Sequence, residues 1–123
     1  MRAPEPIPGL RIVAAPAALD AAAWPAGVLA VRLAADDLFA AGATTTDVAD
    51  ALVEDELGFV GWWLSAAELA TVLEHVDWPM PASFPGLAQG LVAGVPAKLW
   101  LAGGRALLVC AVAYTHELQE RLP

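Results

Sequence analysis

The sequence predicts an α+β domain, a mostly antiparallel sheet of about five strands with two to three helices packed on it. Three observations carry that expectation. Short apolar runs of strand length recur at residues 28–33, 57–64, 97–102 and 105–110, separated by Gly, Pro and Asp turn signals. The pair Gly103-Gly104 lies between two of these runs and marks a hairpin, a connection that builds antiparallel pairs. Ser65-Ala-Ala-Glu68 is a capping box, and Leu69, Val72, Leu73 and Val76 follow it at helical spacing.

The elements are expected in the following order. Residues 1–10 hold Pro4, Pro6 and Pro8 and then Gly9, so they should run extended over a surface without a core role, as a proline-rich tail on a single domain of residues 1–123. Pro16 to Ala23 has the alanine content of a short helix with proline near its start, and Pro25 with Gly27 ends it. VLAVRL (28–33) reads as a strand, and the turn AADD joins it to a second apolar piece, LFAAGA, as a hairpin. Between Thr45 and Val53, threonine and Asp47 ahead of Val48, Leu52 and Val53 suggest an N-capped short helix, with a strand through Ala51 to Glu54 as the competing reading. The run from Leu57 to Leu64 is a strand in which Trp62 and Trp63 must point to opposite faces. A helix follows from about Ala66 to His75, and prolines make the segment up to Gly86 a loop.

If the Gly103-Gly104 loop has two residues, Ala102 faces Arg105, Trp100 faces Leu107 and Lys98 faces Val109 on one side of the sheet. Leu99 with Leu108 and Leu101 with Ala106 then occupy the other. The chain closes with a helix through Tyr114 to Leu122, whose Tyr114, Leu118 and Leu122 form one stripe. Both sheet faces are largely apolar and ask for more cover than two or three helices supply.

Composition narrows the function classes. A hydrophobic fraction of 59% excludes disorder, and the longest apolar runs are broken by Pro25, Arg32, Gln89, Pro96 and Lys98, so none gives the uninterrupted stretch that a membrane-spanning helix needs. The start MRAPEPIPG lacks the apolar core of a signal peptide, which leads to an expected cytoplasmic location. Fourteen acidic against six basic residues give a net charge of −8, which repels phosphate backbones and argues against nucleic acid as a partner. The lone Cys110 falls inside ALLVCAVA and reads as a buried thiol.

No pattern announces a reaction. His75 and His116 are too few and too isolated for a zinc site, and His75 suits the carbonyl end of a helix. Glu54, Asp55 and Glu56 lack the ligand spacing of a calcium loop. Ser65 is explained by its capping box, and Gly103-Gly104-Arg105 has no following helix that would make it a phosphate loop. No catalytic residue, metal ligand or cofactor is therefore expected. The residues that remain as ligand or partner candidates are Trp62, Trp63, Lys98 and Trp100, because tryptophan is enriched in interfaces and a cation beside an aromatic ring recognises anionic or aromatic groups.

The pieces DVADALVED, LSAAELATVLEHV, FPG, AGVPAKLWL and RALLVCAVAYTHELQERL, spread from Asp47 to Leu122, are together similar to a known family. In their order they resemble the small γ subunit of heterotetrameric sarcosine oxidase, itself related to the folate-binding domains of the glycine-cleavage T-protein. The resemblance implies a non-catalytic subunit that packs against larger subunits carrying flavin, nicotinamide and folate sites, and it carries over no catalytic residue.

The expectation is thus a non-catalytic accessory subunit or interaction module whose partner is another protein chain, either a larger oxidoreductase subunit or a second copy. A small-molecule binder with a pocket lined by Trp62 or Trp63, Trp100 and Lys98 is the first alternative. A small enzyme using a histidine or one of Glu54, Asp55 and Glu56 as acid or base is the second.

Overall fold

The computed structural model describes residues Met1–Pro123, with nine strands in two antiparallel sheets and three α-helices, an α+β fold. The chain forms two compact units, Met1–Pro6 with Gly58–Pro123, and Ile7–Leu57.

The first unit holds a five-stranded sheet in the order β1 (Glu5–Pro6), β6 (Phe59–Trp63), β9 (Arg105–Ala111), β8 (Val95–Ala102), β7 (Gly86–Val92). The hairpin at Gly103-Gly104 has the expected register, with Ala102 opposite Arg105, Trp100 opposite Leu107 and Lys98 opposite Val109. Only Gly104 uses a positive φ there, whereas the β7–β8 turn uses one at both Ala93 and Gly94, the twist that suits a two-residue hairpin. Pro96 is tolerated because it faces Leu91 on β7 and lies outside the β8–β9 ladder, which begins at Lys98.

Helix α2 (Ala66–Leu73) starts on the expected capping box, in which Ser65 Oγ accepts the Glu68 backbone N–H and Glu68 Oε1 accepts that of Ser65. Its Val72, with Leu118 and Leu122 at the end of α3 (Thr115–Arg121), buries against Trp62, Leu99, Leu101, Leu108 and Cys110. Tyr114 does not join that stripe. Val112–Tyr114 is a 3₁₀ turn, whose three-residue period breaks the helical spacing ahead of α3 and leaves Tyr114 exposed.

The second unit is a four-stranded sheet in the order β3 (Leu29–Ala34), β4 (Asp37–Ala41), β2 (Gly9–Val13), β5 (Leu52–Glu56). Short helix α1 (Pro16–Ala21) places Leu19 on a core of Leu10, Ile12, Leu38 and Ala40. The hairpin expected between 28–33 and LFAAGA is β3–β4, with a bulge between Arg32 and Ala34.

Two expectations are corrected here. Residues 1–10 are extended, yet they supply β1 and the start of β2, and Ile7 and Leu10 are buried. Gly9 makes this possible, because a Cβ there would press on the Ala40 carbonyl of the neighbouring strand. The short helix expected between Thr45 and Val53 is absent. Thr46 Oγ1 accepts the Val48 backbone N–H at 3.3 Å, Asp50 takes a φ of 51°, and the chain then enters β5. A threonine bonded to the backbone two residues on competes with helix formation.

Candidate functional site

Strand alternation separates the two adjacent tryptophans. Trp62 is 1% exposed in the core, with its indole N–H donating to the Arg2 carbonyl at 2.8 Å, while Trp63 is half-buried on the opposite face. Opposite Leu107 on its two sides lie Trp63 and Trp100, whose rings meet edge to face with centroids 6.1 Å apart. The cation on this pair is Arg105, with its guanidinium carbon 4.5 Å from the Trp63 ring centre and 5.8 Å from that of Trp100. Lys98 reaches Phe59 instead, its ammonium 5.5 Å above that ring. The structure therefore joins Trp63 and Trp100, and takes Trp62 and Lys98 elsewhere.

Arg105 was not among the residues singled out from the sequence, although the expected register carried the signal. With Trp100 opposite Leu107, Arg105 lies diagonal to Trp100 on the same sheet face, within reach of a long side chain. A groove of about 340 Å³ whose walls include Leu69, Leu73, Met80, Phe84 and Leu101 lies on the other face of the sheet, the one covered by α2, and reaches the hairpin end at Gly104-Arg105.

A second feature lies in the other unit. β5 is an outer strand, so half of its backbone N–H and C=O groups point away from β2. Leu52 is 74% exposed, and Val53, Glu54 and Asp55 are exposed beside it. A depression of about 420 Å³, lined by Thr44, Thr45, Thr46, Val53, Glu54 and Asp55, runs alongside. Glu56 turns inward to Arg11 (3.1 Å), which is also held bidentately by Asp37 at 2.6 and 2.7 Å. Donation to the Asp37 carboxylate raises the Arg11 pKa, so this cation stays charged and the β4–β2–β5 ladder stays cross-braced.

The other three sheet edges are obstructed. β1 is two residues long and contains Pro6. At β7, Trp78 lies on Gly90 and donates its indole N–H to the Leu91 carbonyl at 2.9 Å. At β3, the bulge and Arg32, which donates to the Ala34 and Ala35 carbonyls, break the edge.

The titratable groups considered from sequence have local partners. His75 Nδ1 meets the Thr71 carbonyl at 3.0 Å at the end of α2, and His116 lies on the exposed face of α3, 3.0 Å from Glu120. No three His, Cys, Asp or Glu side chains converge as a metal site would require. Burial pushes the Cys110 thiol up to about 11, which suits a small apolar core residue and not a nucleophile. No helix is long and apolar enough to cross a membrane.

No family model, curated protein or solved structure matches the chain.

Proposed function

We propose that the chain is a non-catalytic interaction module that takes up an extended segment of another protein along the outer edge of β5. The observation that carries this reading is the open, half-apolar edge at Leu52–Glu56, in a fold whose other edges are blocked. Strand addition supplies main-chain hydrogen bonds, and side-chain alternation supplies the specificity. Glu54, Asp55 and the three threonine hydroxyls beside them favour a segment in which basic residues alternate with apolar ones. A second copy is a poor occupant. Antiparallel self-pairing centred on Glu54 sets Glu54 against Glu54, a like-charge pair in the middle of the ladder.

The similarity of Asp47–Leu122 to the sarcosine oxidase γ subunit supports a narrower version, in which the partner is a larger subunit of an amine-oxidising complex.

The reading is tested by nuclear magnetic resonance with isotope-labelled protein and three short peptides. One alternates lysine with valine, one alternates glutamate with valine, and the third is the lysine peptide N-methylated at alternate residues. The lysine peptide should shift the amides of Leu52–Glu56, and added salt should weaken the effect. Equal binding of the N-methylated peptide, or shifts confined to other strands, would overturn the proposal.

A further inference from the structure

We infer that the hollow between α2 and the β8–β9 hairpin is a binding site for an uncharged aromatic molecule of about two rings. Its floor follows from the register. On the face that carries Trp62, the row of the five-stranded sheet at the hairpin end reads Leu64, Ala106, Leu101 and Gly86. The row behind it reads Trp62, Leu108, Leu99 and Ala88, and its three large side chains are fully buried against α2 and α3. Two of the four residues in the hairpin-end row are therefore small. Pro81 takes the space that a side chain at Gly86 would need, whereas Ala106 opens onto the groove. The result is a concavity of about 340 Å³ floored by Ala106 and Leu101 and walled by Leu64, Leu69, Leu73 and Met80.

Phe84 indicates that the occupant comes from outside. It stands at the margin 61% exposed, beside apolar space that its own ring does not fill. Its loop is closed at the base, because Gly86 lies too near Pro81 and the Ser83 carbonyl to admit a Cβ, and Pro81 and Pro85 fix φ on either side of Phe84. The ring is thus held off the floor and presented to whatever enters. An aromatic guest suits both Phe84 and the Met80 thioether, since rings pair favourably with rings and with sulfur. The lining also offers no partner to a charge. Ser65 is engaged with Glu68 in the capping box, and the Arg105 guanidinium lies over the Trp63 and Trp100 rings on the other face of the sheet. The volume is at the small end of ligand pockets and roughly twice that of an apolar cavity of about 150 Å³ that holds benzene, which sets the guest at two fused rings.

Naphthol, its saturated counterpart decahydronaphthol, and naphthoate, all substituted at the same ring carbon, are titrated into the methyl-labelled full chain. Naphthol should shift the Leu69, Leu73, Leu101 and Ala106 methyl resonances and leave the Leu52–Glu56 amides unmoved, so the outcome is independent of strand addition at β5. Decahydronaphthol should bind about two- to tenfold more weakly, the worth of one aromatic pair, and Phe84→Ser, at an exposed position, should remove that difference. Naphthoate should bind about tenfold more weakly still than naphthol or worse, because its carboxylate loses hydration without gaining a partner. Ala106→Leu fills the hollow, so it should abolish naphthol binding while the unfolding temperature stays at or above that of the wild-type chain. Arg105→Gln, on the other face, should leave every affinity unchanged. The inference is overturned by naphthoate binding as tightly as naphthol, by wild-type affinity in Ala106→Leu, or by a large fall in that variant's unfolding temperature, which would mean that the space is already packed. Methyl shifts that follow protein concentration in place of added naphthol would also overturn it, by making the groove a contact between copies.

Discussion

Replacing each of the two adjacent tryptophans by alanine tests the register of β6, and with it the position of Arg105. Trp62 sits in the core against Leu99, Val72, Leu108 and Leu118. Removing a fully buried large side chain from such a site costs about 3–5 kcal/mol. The lost indole hydrogen bond adds about 1 kcal/mol at most, because the Arg2 carbonyl keeps the Gln119 side-chain donor at 3.1 Å. Trp63 is half-buried, and its truncation loses an edge-to-face pair worth about 0.5–1.5 kcal/mol and an exposed cation contact worth about 0.5–1 kcal/mol. Trp62→Ala should therefore cost roughly two to three times as much as Trp63→Ala. Urea unfolding followed by circular dichroism reads the difference without depending on the fluorescence of the deleted ring. Trp62→Phe, which keeps most of the volume, should recover most of the loss. Equal costs, or a larger cost at Trp63, would mean that the strand is slipped by one residue and that the face assigned to Arg105 is wrong.

Glu68 accepts the Ser65 backbone N–H and faces Arg2, which holds its pKa below the ordinary carboxylate value. A depressed folded-state value stabilises the fold above the unfolded carboxylate range and is lost as pH falls through the folded value, so Glu68→Gln should flatten the acid limb of a stability–pH curve; an unchanged limb refutes this. Cys110, with its thiol pushed up to about 11 by burial, should react with a thiol reagent at mildly alkaline pH only as fast as the protein opens, and prompt labelling of the native chain would contradict its placement. Gly9→Ala should destabilise the four-stranded sheet by about 1–3 kcal/mol because backbone, and not a flexible side chain, stands in the way of the new methyl group; a neutral result in calorimetry would show that β2 and β4 separate easily. Glu54→Thr with Asp55→Thr should produce self-association detectable by light scattering, and a variant that stays monomeric would show that charge is not what keeps β5 edges apart.

Local signals with a single physical meaning were legible in the sequence. The Gly-Gly hairpin gave the β8–β9 register residue by residue, and the Ser65–Glu68 box gave the start of α2. What could not be read depended on long-range partners. Prolines at 4, 6 and 8 say that the chain is extended, but an extended chain becomes a strand only if another strand accepts it, and Gly61 and Val60 on β6 do so for Glu5 and Pro6. Likewise the stretch from Thr45 to Val53 allowed a helix or a strand, and the strand state of Leu52–Glu56 comes from pairing with Gly9–Val13, from which α1, β3 and β4 separate it in sequence. The candidate site was half legible. Alternation required Trp62 and Trp63 to part, but the choice of cation over the rings depended on side-chain reach, which favoured Arg105 at the hairpin end and left Lys98 over Phe59.

The two candidate surfaces differ in chemistry because the charges are unevenly divided. Eight carboxylates and two arginines lie in Ile7–Leu57, whereas the remaining residues carry six carboxylates and four cations. An open strand must avoid its own copy, and clustered acidic side chains do this at little cost to the fold because they already stand in water. Charge avoidance alone does not explain Leu52 and Val53, which expose apolar surface on the same strand and would be a liability if nothing covered them. Apolar contact with charge repulsion toward itself is the combination expected of an edge that pairs with a different, basic chain. The other unit has no comparable excess of carboxylates, and the one arginine in the chain without a carboxylate partner, Arg105, lies there over the Trp63 and Trp100 rings.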